Sequence, residues 1–429
     1  MTASVVGLSH RDRRVAILGL GYVGLPVAVR AAEAGFDVVG LDIDVGRVKR
    51  LGAGESYVED ISDEALGAVV DAGCFHATTS WDDLAGFDYA VITVPTPLRD
   101  GNPDLSYIED ATRGIAPHVR RGSCVILEST TYPGTTEELV GPLLEGGSNL
   151  LAGRDFHLGY SPERIDPGSV TWTLVNTPKV VSGIDTASLR AVQGFYDRIV
   201  DRTVPVASPR EAELTKLIEN TFRHVNIALV NELAMFARDL GVDIGNAIEA
   251  ASTKPFGYMR FDPGPGVGGH CLPIDPSYLS WQVKRSLGHA FRFVELANDV
   301  NDHMPDYVVR RLILGLNTRE RALKNSRVLI LGLAYKPNTA DLRESPALQI
   351  ADQLLTLGAD VRAADPHVNG KGIDARIQRV EVTEDEVAAA DLVVLVCDHA
   401  AFDLDMVSRT GRYVFDTRHR LHGTNVESL

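Results

Sequence analysis

"RRVAILGLGYVGLPVAVRAAEAGFDVVGLDID", residues 13–44, decides the fold. A short apolar strand, Val15–Leu18, runs into Gly19, Gly21 and Gly24, spaced G-x-G-x-x-G. An alanine-rich helix follows, and a second strand, Phe36–Leu41, ends at Asp42. Together these make one βαβ unit. Glycines at these positions let a backbone approach a pyrophosphate at a helix N-terminus. Asp42 lies 18 residues beyond Gly24, close to the roughly 20 expected of an acid that binds a ribose hydroxyl. The glycine triplet alone also suits an ordinary tight βα turn. The strand before it, the helix after it and the terminal acid favour a dinucleotide. No arginine immediately follows Asp42, which favours NAD over NADP.

Two further strands, "YAVITVP" (89–95) and "CVILEST" (124–130), end in polar or proline residues, where a doubly wound sheet places its ligands. Similar grammar returns near the other end. "SRVLILGLAYKPNTADLRES" (326–345) reads as a strand and a turn, and "SPALQIADQLLTLGA" (345–359) as a helix. "DVRAADP", "DLVVLVCDH" and "RYVFDTR" read as strands. This second α/β unit lacks the glycine fingerprint, but Lys336 and Arg343 lie near a strand end and suit an anionic ligand.

Between the two lies "SPREAELTKLIENTFRHVNIALVNELAMFARDLG" (208–241), apolar at helical spacing and closed by Gly241. At about thirty residues it exceeds the roughly 8–20 usual for globular helices. Such a helix joins two domains and pairs with its copy in a dimer, or it is a kinked core helix. Lys216 and Asn220 fall four apart and share a helix face. On a cleft they would donate to an oxyanion; on an outer surface they would simply be solvated.

The chain of 429 residues carries a net charge of −16, is 45% hydrophobic and 23% charged. That acidity argues against nucleic-acid binding, which needs a basic face. No apolar run reaches the roughly 18 residues of a membrane span, and the first 13 residues read as a loose tail. The four cysteines, Cys74, Cys124, Cys271 and Cys397, stand far apart with no CxxC pair. A structural metal site is therefore not expected, and a cytoplasmic location is. Cys271 lies in "PGPGVGGHCLPIDP" (263–276), where glycines and prolines preclude a regular element before it. A cysteine beside an NAD site suits covalent aldehyde oxidation, and a buried thiol suits the same pattern. His270 is adjacent in sequence, but adjacent side chains usually diverge, so the two are not read as a dyad.

"GLGYVGLP", "VPTP", "ESTTYPGTT", "SPERIDPG", "AELTKLIENTFRHVNIALVNEL", "PGPGVGGHCLPIDP", "GLAYKPNTADLRESPA" and "FDTR" occur in that order. The combination, spanning roughly residues 14–420, resembles the UDP-glucose/GDP-mannose dehydrogenase family. The resemblance implies an α/β fold of two Rossmann-like doubly wound parallel-sheet domains, joined by a long central helix and a small helical domain. The expected boundaries are a tail at 1–13, an NAD-binding domain at 14–207, a central dimerisation domain with the cysteine loop at 208–318, and a UDP-sugar-binding domain at 319–429. It implies oxidation of the 6-hydroxyl of a nucleotide sugar to a carboxylate, with two NAD consumed per sugar, by a homodimer or higher oligomer.

Carried over position by position, the family's nucleophile falls on Cys271 and its helix pair on Lys216 and Asn220. Its water and proton network falls on Thr130, Glu163 and Asp275. Cofactor contacts fall on Gly19, Gly21, Tyr22, Val23, Gly24, Asp42 and Arg47, with Thr96, Thr130 and Arg343 nearby. Glu163, Arg164, Lys216, Asn220, Gly268, Lys336 and Arg418 match positions about the sugar nucleotide. The UDP-glucose branch commonly carries a second glutamate four residues after Glu163, where this chain has Pro167. "SPERIDPG" and "TKPFGYMRFDPGPGVGGHC" look like the branch acting on UDP-N-acetylhexosamines, and "TKPFG" leans towards UDP-N-acetylglucosamine. Arg223, His224, Asn226, Lys254 and Arg260 are then candidates for sugar or diphosphate contact, or plain surface and packing residues. Two-electron hydroxyacid dehydrogenases also place a helical domain after an NAD domain, but they need no cysteine and stop at a carbonyl. A non-catalytic nucleotide-sugar or NAD-binding regulator is the alternative from another class.

Overall fold

Short apolar strands alternate with helices along both ends of the chain, and strands that return parallel need such crossovers. A computed structural model of the protein describes residues 13–58, 60–99, 101–165, 171–269 and 271–429, with Cys271 in its backbone only. Most of the expected N-terminal tail, Pro167 and His270 lie outside the described residues. The chain forms two compact units that divide between Glu219 and Asn220.

In the first unit, eight strands form one sheet. They are β1 (Arg14–Leu18), β2 (Asp37–Leu41), β3 (Phe75–Thr78), β4 (Tyr89–Ile92), β5 (Cys124–Leu127), β6 (His157–Tyr160), β7 (Lys179–Gly183) and β8 (Thr203–Pro205). Their order is β8-β7-β6-β5-β4-β1-β2-β3. All neighbours run parallel except β6 and β7. Helices cover both faces, so the strands are buried on both sides. Val15 and Ile17 enter one core cluster, while Ala16 and Leu18 enter another, as the two-residue period of a strand requires. The order reverses between β1 and β4, the switch point where ligands of such sheets bind. Register places Leu18 opposite both Leu41 and Ile92, so the chain leaves β1 between Asp42 and Thr93.

The strands end earlier than the sequence suggests. The amides of Glu128 and Ser129 both turn to the Ile92 carbonyl, at 2.9 and 3.1 Å. That stops the ladder at Ile92 and Leu127.

The second unit carries β9 (Arg327–Leu331), β10 (Asp360–Ala364), β11 (Gln378–Arg379), β12 (Leu392–Leu395), β13 (Val414–Asp416) and β14 (Val426–Ser428). Their order, β11-β10-β9-β12-β13-β14, repeats that of the first sheet about its own first strand, and every pair is parallel. Three helices carry or adjoin the candidate site residues. Helix α1 (Gly24–Glu33) follows β1, α2 (Pro209–Asp239) is the 31-residue helix in the middle of the chain, and α3 (Cys271–Leu287) follows the glycine-rich loop. The Ser208 hydroxyl accepts the Glu211 amide at 3.3 Å at the start of α2, and Gly241, at φ +69°, follows its end. Among the described residues no helix is long and apolar enough to cross a membrane.

Candidate active site

The β1–α1 turn is built by its glycines. Gly19 has φ +91° and sends its amide to the Leu41 carbonyl at 2.8 Å. A Cβ on Gly24 would stand 1.8 Å from the Gly19 carbonyl oxygen, so only glycine closes the turn. Around Gly21 there is open space, with nothing within 4 Å of an added Cβ. Thr93 donates its hydroxyl to the carbonyl oxygens of Leu18 and Gly19, at 3.0 and 2.8 Å. At the end of β2, buried Asp42 accepts the Leu20 amide at 3.0 Å and the Asp44 amide at 2.9 Å. A carboxylate with two such bonds keeps acceptor capacity for ribose hydroxyls. Arg47 approaches Asp42 at 3.6 Å. Val23 caps α1 and Tyr22 is exposed, whereas Thr96 is buried and Thr130 partly buried. The tight turn, the open Gly21 and the acid at the β2 end fit a dinucleotide.

Sequence reasoning overlooked Tyr57. Its hydroxyl donates to the Leu20 carbonyl at 2.5 Å, and the Arg47 guanidinium sits 5.3 Å from its ring centre. Burial, reinforced by Asp42, raises its pKa well above the ordinary phenol value, so it remains a donor.

The segment after β6 carries Glu163. Its side chain is buried, and burial, the largest influence, pushes its carboxyl up against the opposing pull of Lys216. Lys216 is also buried on α2; its Nζ lies 2.6 Å from the Glu163 carbonyl oxygen and 3.2 Å from Glu163 Oε2. Arg164 pairs with Glu219 of α2 at 2.7 Å and donates to the Pro178 carbonyl at 2.5 Å. The solvated alternative for Lys216 is thereby removed.

In the second unit, Asn220 Nδ2 donates to Asp275 Oδ2 at 2.5 Å, and both residues are buried. Arg223 Nη2 donates to Asn220 Oδ1 at 3.2 Å. Asp275 lies in the first turns of α3, the helix that Cys271 opens. The loop before it was legible as irregular; the helix starting at the cysteine was not, because the same run of glycines and prolines surrounds it. Pro273 sits in the first turn, where its missing amide costs little; Pro276 lies within the helix. Gly268 and Gly269 serve close packing: a Cβ on either would fall 2.7 Å from Tyr335, and the Gly269 amide bonds the Arg343 carbonyl at 2.9 Å. The segment 335–344, with Lys336 and Arg343, is thus held beside the cysteine loop.

Arg418 is half-buried and donates from Nε to the Val396 carbonyl at 2.7 Å. A Cβ on Gly264 would come 3.0 Å from its Nη1. Arg343 pairs with Asp341 at 2.5 Å and Arg260 with Asp262 at 3.0 Å. Asn226 donates to the Phe222 carbonyl at 2.7 Å, and Lys254 lies 5.0 Å over Phe256. His224 is buried; its Nε2 is 2.7 Å from Asn298 Oδ1 and its Nδ1 is 3.4 Å from Asn301 Nδ2. Burial lowers its pKa. Its surroundings are those of a packed, neutral ring.

Two more buried groups were not singled out from sequence. Glu213 on α2 accepts the Gly134 amide, the Thr136 amide and the Thr136 hydroxyl at 2.6, 2.9 and 2.7 Å. It thereby ties α2 to the segment just beyond Thr130. Lys179 pairs with Glu128 behind the Glu163 segment. A lysine opening an otherwise apolar strand was the available signal, since a buried lysine requires a partner.

The chain matches the NAD binding domain of the UDP-glucose/GDP-mannose dehydrogenase family over residues 13–200, its central domain over 210–303 and its UDP binding domain over 329–423. It is 38% identical to a UDP-N-acetyl-D-mannosamine dehydrogenase of Pyrococcus horikoshii, over 91% of this chain and 90% of that one. It is 36% identical to a UDP-N-acetyl-D-glucosamine 6-dehydrogenase of Pseudomonas aeruginosa, over 91% and 92%. The solved structure of a UDP-D-ManNAc dehydrogenase from Pyrococcus horikoshii superposes with a TM-score of 0.88 at 35% identity, covering 97% of this chain and 98% of that one. The chain belongs to the UDP-glucose/GDP-mannose dehydrogenase family and is an NAD-dependent nucleotide-sugar dehydrogenase.

Proposed function

We propose that the protein oxidises C6 of a UDP-N-acetylhexosamine, with UDP-N-acetylglucosamine as the preferred substrate, to the uronic acid through a covalent adduct on Cys271. The observation that carries this reading is the pairing of residues far apart in sequence. Lys216 meets Glu163 across 53 residues, and Asn220 meets Asp275 across 55. These are the positions that the family resemblance assigns to the chemistry, and nothing in packing alone calls for four buried polar side chains there.

Gly19, Gly21 and Asp42 would hold NAD, which when bound would supply the hydride acceptor for C6 in both oxidations, two NAD per sugar. The first oxidation gives an aldehyde. Cys271 Sγ then adds to C6, and the resulting thiohemiacetal is oxidised to a thioester. Water breaks the C–S bond, giving the carboxylate and restoring the thiol. Lys216 and Asn220 donate to the oxyanions that develop at C6. Glu163 and Asp275, with Thr130, order the water and carry its proton. Cys271 opens a helix, and a helix N-terminus favours a thiolate. Lys336, Arg418, Arg223 and Arg260 supply positive charge for the diphosphate, which reconciles an anionic substrate with a chain of net charge −16. Arg164 and Gly268 contribute contacts at the sugar.

A second reading, UDP-N-acetylmannosamine as substrate, is favoured by the Pyrococcus relative. NADH formation measured across UDP-glucose, UDP-galactose, UDP-N-acetylglucosamine, UDP-N-acetylmannosamine and GDP-mannose decides between them. Highest kcat/KM on UDP-N-acetylglucosamine is expected; preference for a hexose lacking the acetamido group contradicts the assignment. For the assembly, α2 exposes Phe222, Leu229, Leu233 and Phe236, a stripe at helical spacing suited to pairing with a second copy.

A further inference from the structure

A group of buried charges stands behind Glu163 that the chemistry above leaves unused. Lys179, the first residue of β7, is 3% exposed, and Glu128, the residue after β5, is fully buried. Lys179 Nζ pairs with Glu128 and also donates to the Pro162 carbonyl at 3.1 Å. The Tyr196 hydroxyl donates to the second Glu128 oxygen at 2.5 Å, and Lys179 Nζ lies 5.0 Å from the Tyr196 ring centre. The next carbonyl along, that of Glu163, takes Lys216 Nζ at 2.6 Å. Two buried lysines thus hold consecutive carbonyls of one segment, and two buried glutamates balance them.

Packing does not account for this. A hydrophobic pair of similar volume commonly supports a fold as well as a buried ion pair does. Just before these two carbonyls, Ser161 Oγ fastens the segment to the Val180 carbonyl at 2.7 Å. What an ion pair adds is a fixed field, little screened in a buried setting. Around Glu163 the charged and titratable groups are Lys216 from α2, Lys179 from β7 and Glu128 after β5. Tyr196, from the helix Thr186–Tyr196, closes the far side of Glu128, and neighbouring Arg164 is paired with Glu219.

We infer that Lys179 and Glu128, oriented by Tyr196, are positioning residues for the oxidation: Lys179 fixes the main chain that presents Glu163, and the pair sets the field in which Glu163 and Lys216 work. The inference rests on the roles given to Glu163 and Lys216 above. The two partners act on Glu163 with opposite sign. Lys179 favours its carboxylate and Glu128 opposes it.

The test is the pH dependence of kcat, with KM for the UDP-sugar, in Lys179→Met, Glu128→Gln and the double variant, beside Glu163→Gln. Lys179→Met is expected to lower kcat about tenfold with KM nearly unchanged, the loss of a positioning contact felt mainly in the transition state. Its acid limb moves to higher pH, because a cation that favoured the carboxylate is gone. Glu128→Gln moves that limb to lower pH. Each single variant leaves one buried ion unpaired. If either fails to fold, the double variant, which buries neither ion, is read instead. Its limb moves up, because Lys179 is the stronger influence on Glu163. Folded variants with wild-type kcat and an unmoved limb, or single variants displaced in the same direction, overturn the inference while an impaired Glu163→Gln leaves the proposed reaction standing. Wild-type kcat in Glu163→Gln overturns both.

Discussion

Cys271 carries the covalent part of the proposed chemistry, and its substitution separates binding from oxidation. Cys271→Ser is expected to bind the UDP-sugar as the wild type does and to form no uronic acid, checked by calorimetry and by product analysis. Four-electron turnover in that variant excludes the thioester. Asn220→Ala removes the 2.5 Å donor from buried Asp275. If Asn220 stabilises the oxyanion, kcat falls by about 10²–10³, the usual loss for one such donor, while KM changes little. A change confined to KM assigns Asn220 to ground-state binding instead. At this scale the sequence spoke unevenly. Lys216 and Asn220 were legible because helical spacing joins residues four apart. Glu163 and Asp275 needed the family resemblance, since their contacts cross 53 and 55 residues. Glu128, Lys179 and Tyr57 were missed because each acts through a partner that only the sheet brings near.

Among the elements, the β1–α1 turn and α2 make the sharpest predictions. Gly24→Ala places a Cβ 1.8 Å from the Gly19 carbonyl oxygen and forces the turn open. NAD affinity is expected to fall at least tenfold by calorimetry, with a lower melting temperature; unchanged affinity rules this turn out as the pyrophosphate cradle. On α2, burial raises the Glu213 carboxyl from 4.5 to about 7, outweighing the bonds from Thr136 and Gly134 that favour the ionised form. The folded protein then binds that proton more readily than the unfolded chain does. Its stabilising contribution is complete below pH 4.5 and is lost as pH rises through about 7, a change of about 3 kcal/mol. Melting temperatures measured from pH 5 to 8 should fall more steeply in the wild type than in Glu213→Gln; parallel curves contradict this. Element types were legible from periodicity and turn residues. Strand ends were not, because amides shared at the Ile92 carbonyl decide them.

For the whole molecule, the repeated strand order of the two sheets explains why similar grammar appears at both ends of the sequence. The absent glycine fingerprint at the second site also has a structural counterpart. There Asp365, at the end of β10, accepts the Leu333 and Ala334 amides at 2.7 and 2.9 Å and pairs with His399 at 3.0 Å. Asp42 ends the corresponding strand of the first sheet and is likewise buried on main-chain amides, but its charged neighbour is the exposed Arg47 at 3.6 Å rather than a buried histidine. If the exposed stripe on α2 forms the dimer, Leu233→Arg yields a monomer by sedimentation velocity; an unchanged assembly places the interface elsewhere. The central claim is a four-electron oxidation by one site. The most direct measurement is the ratio of NADH formed to UDP-N-acetylglucosamine consumed, with the product identified by mass. Two NADH and the uronic acid are expected. One NADH with an aldehyde or ketone product would contradict it.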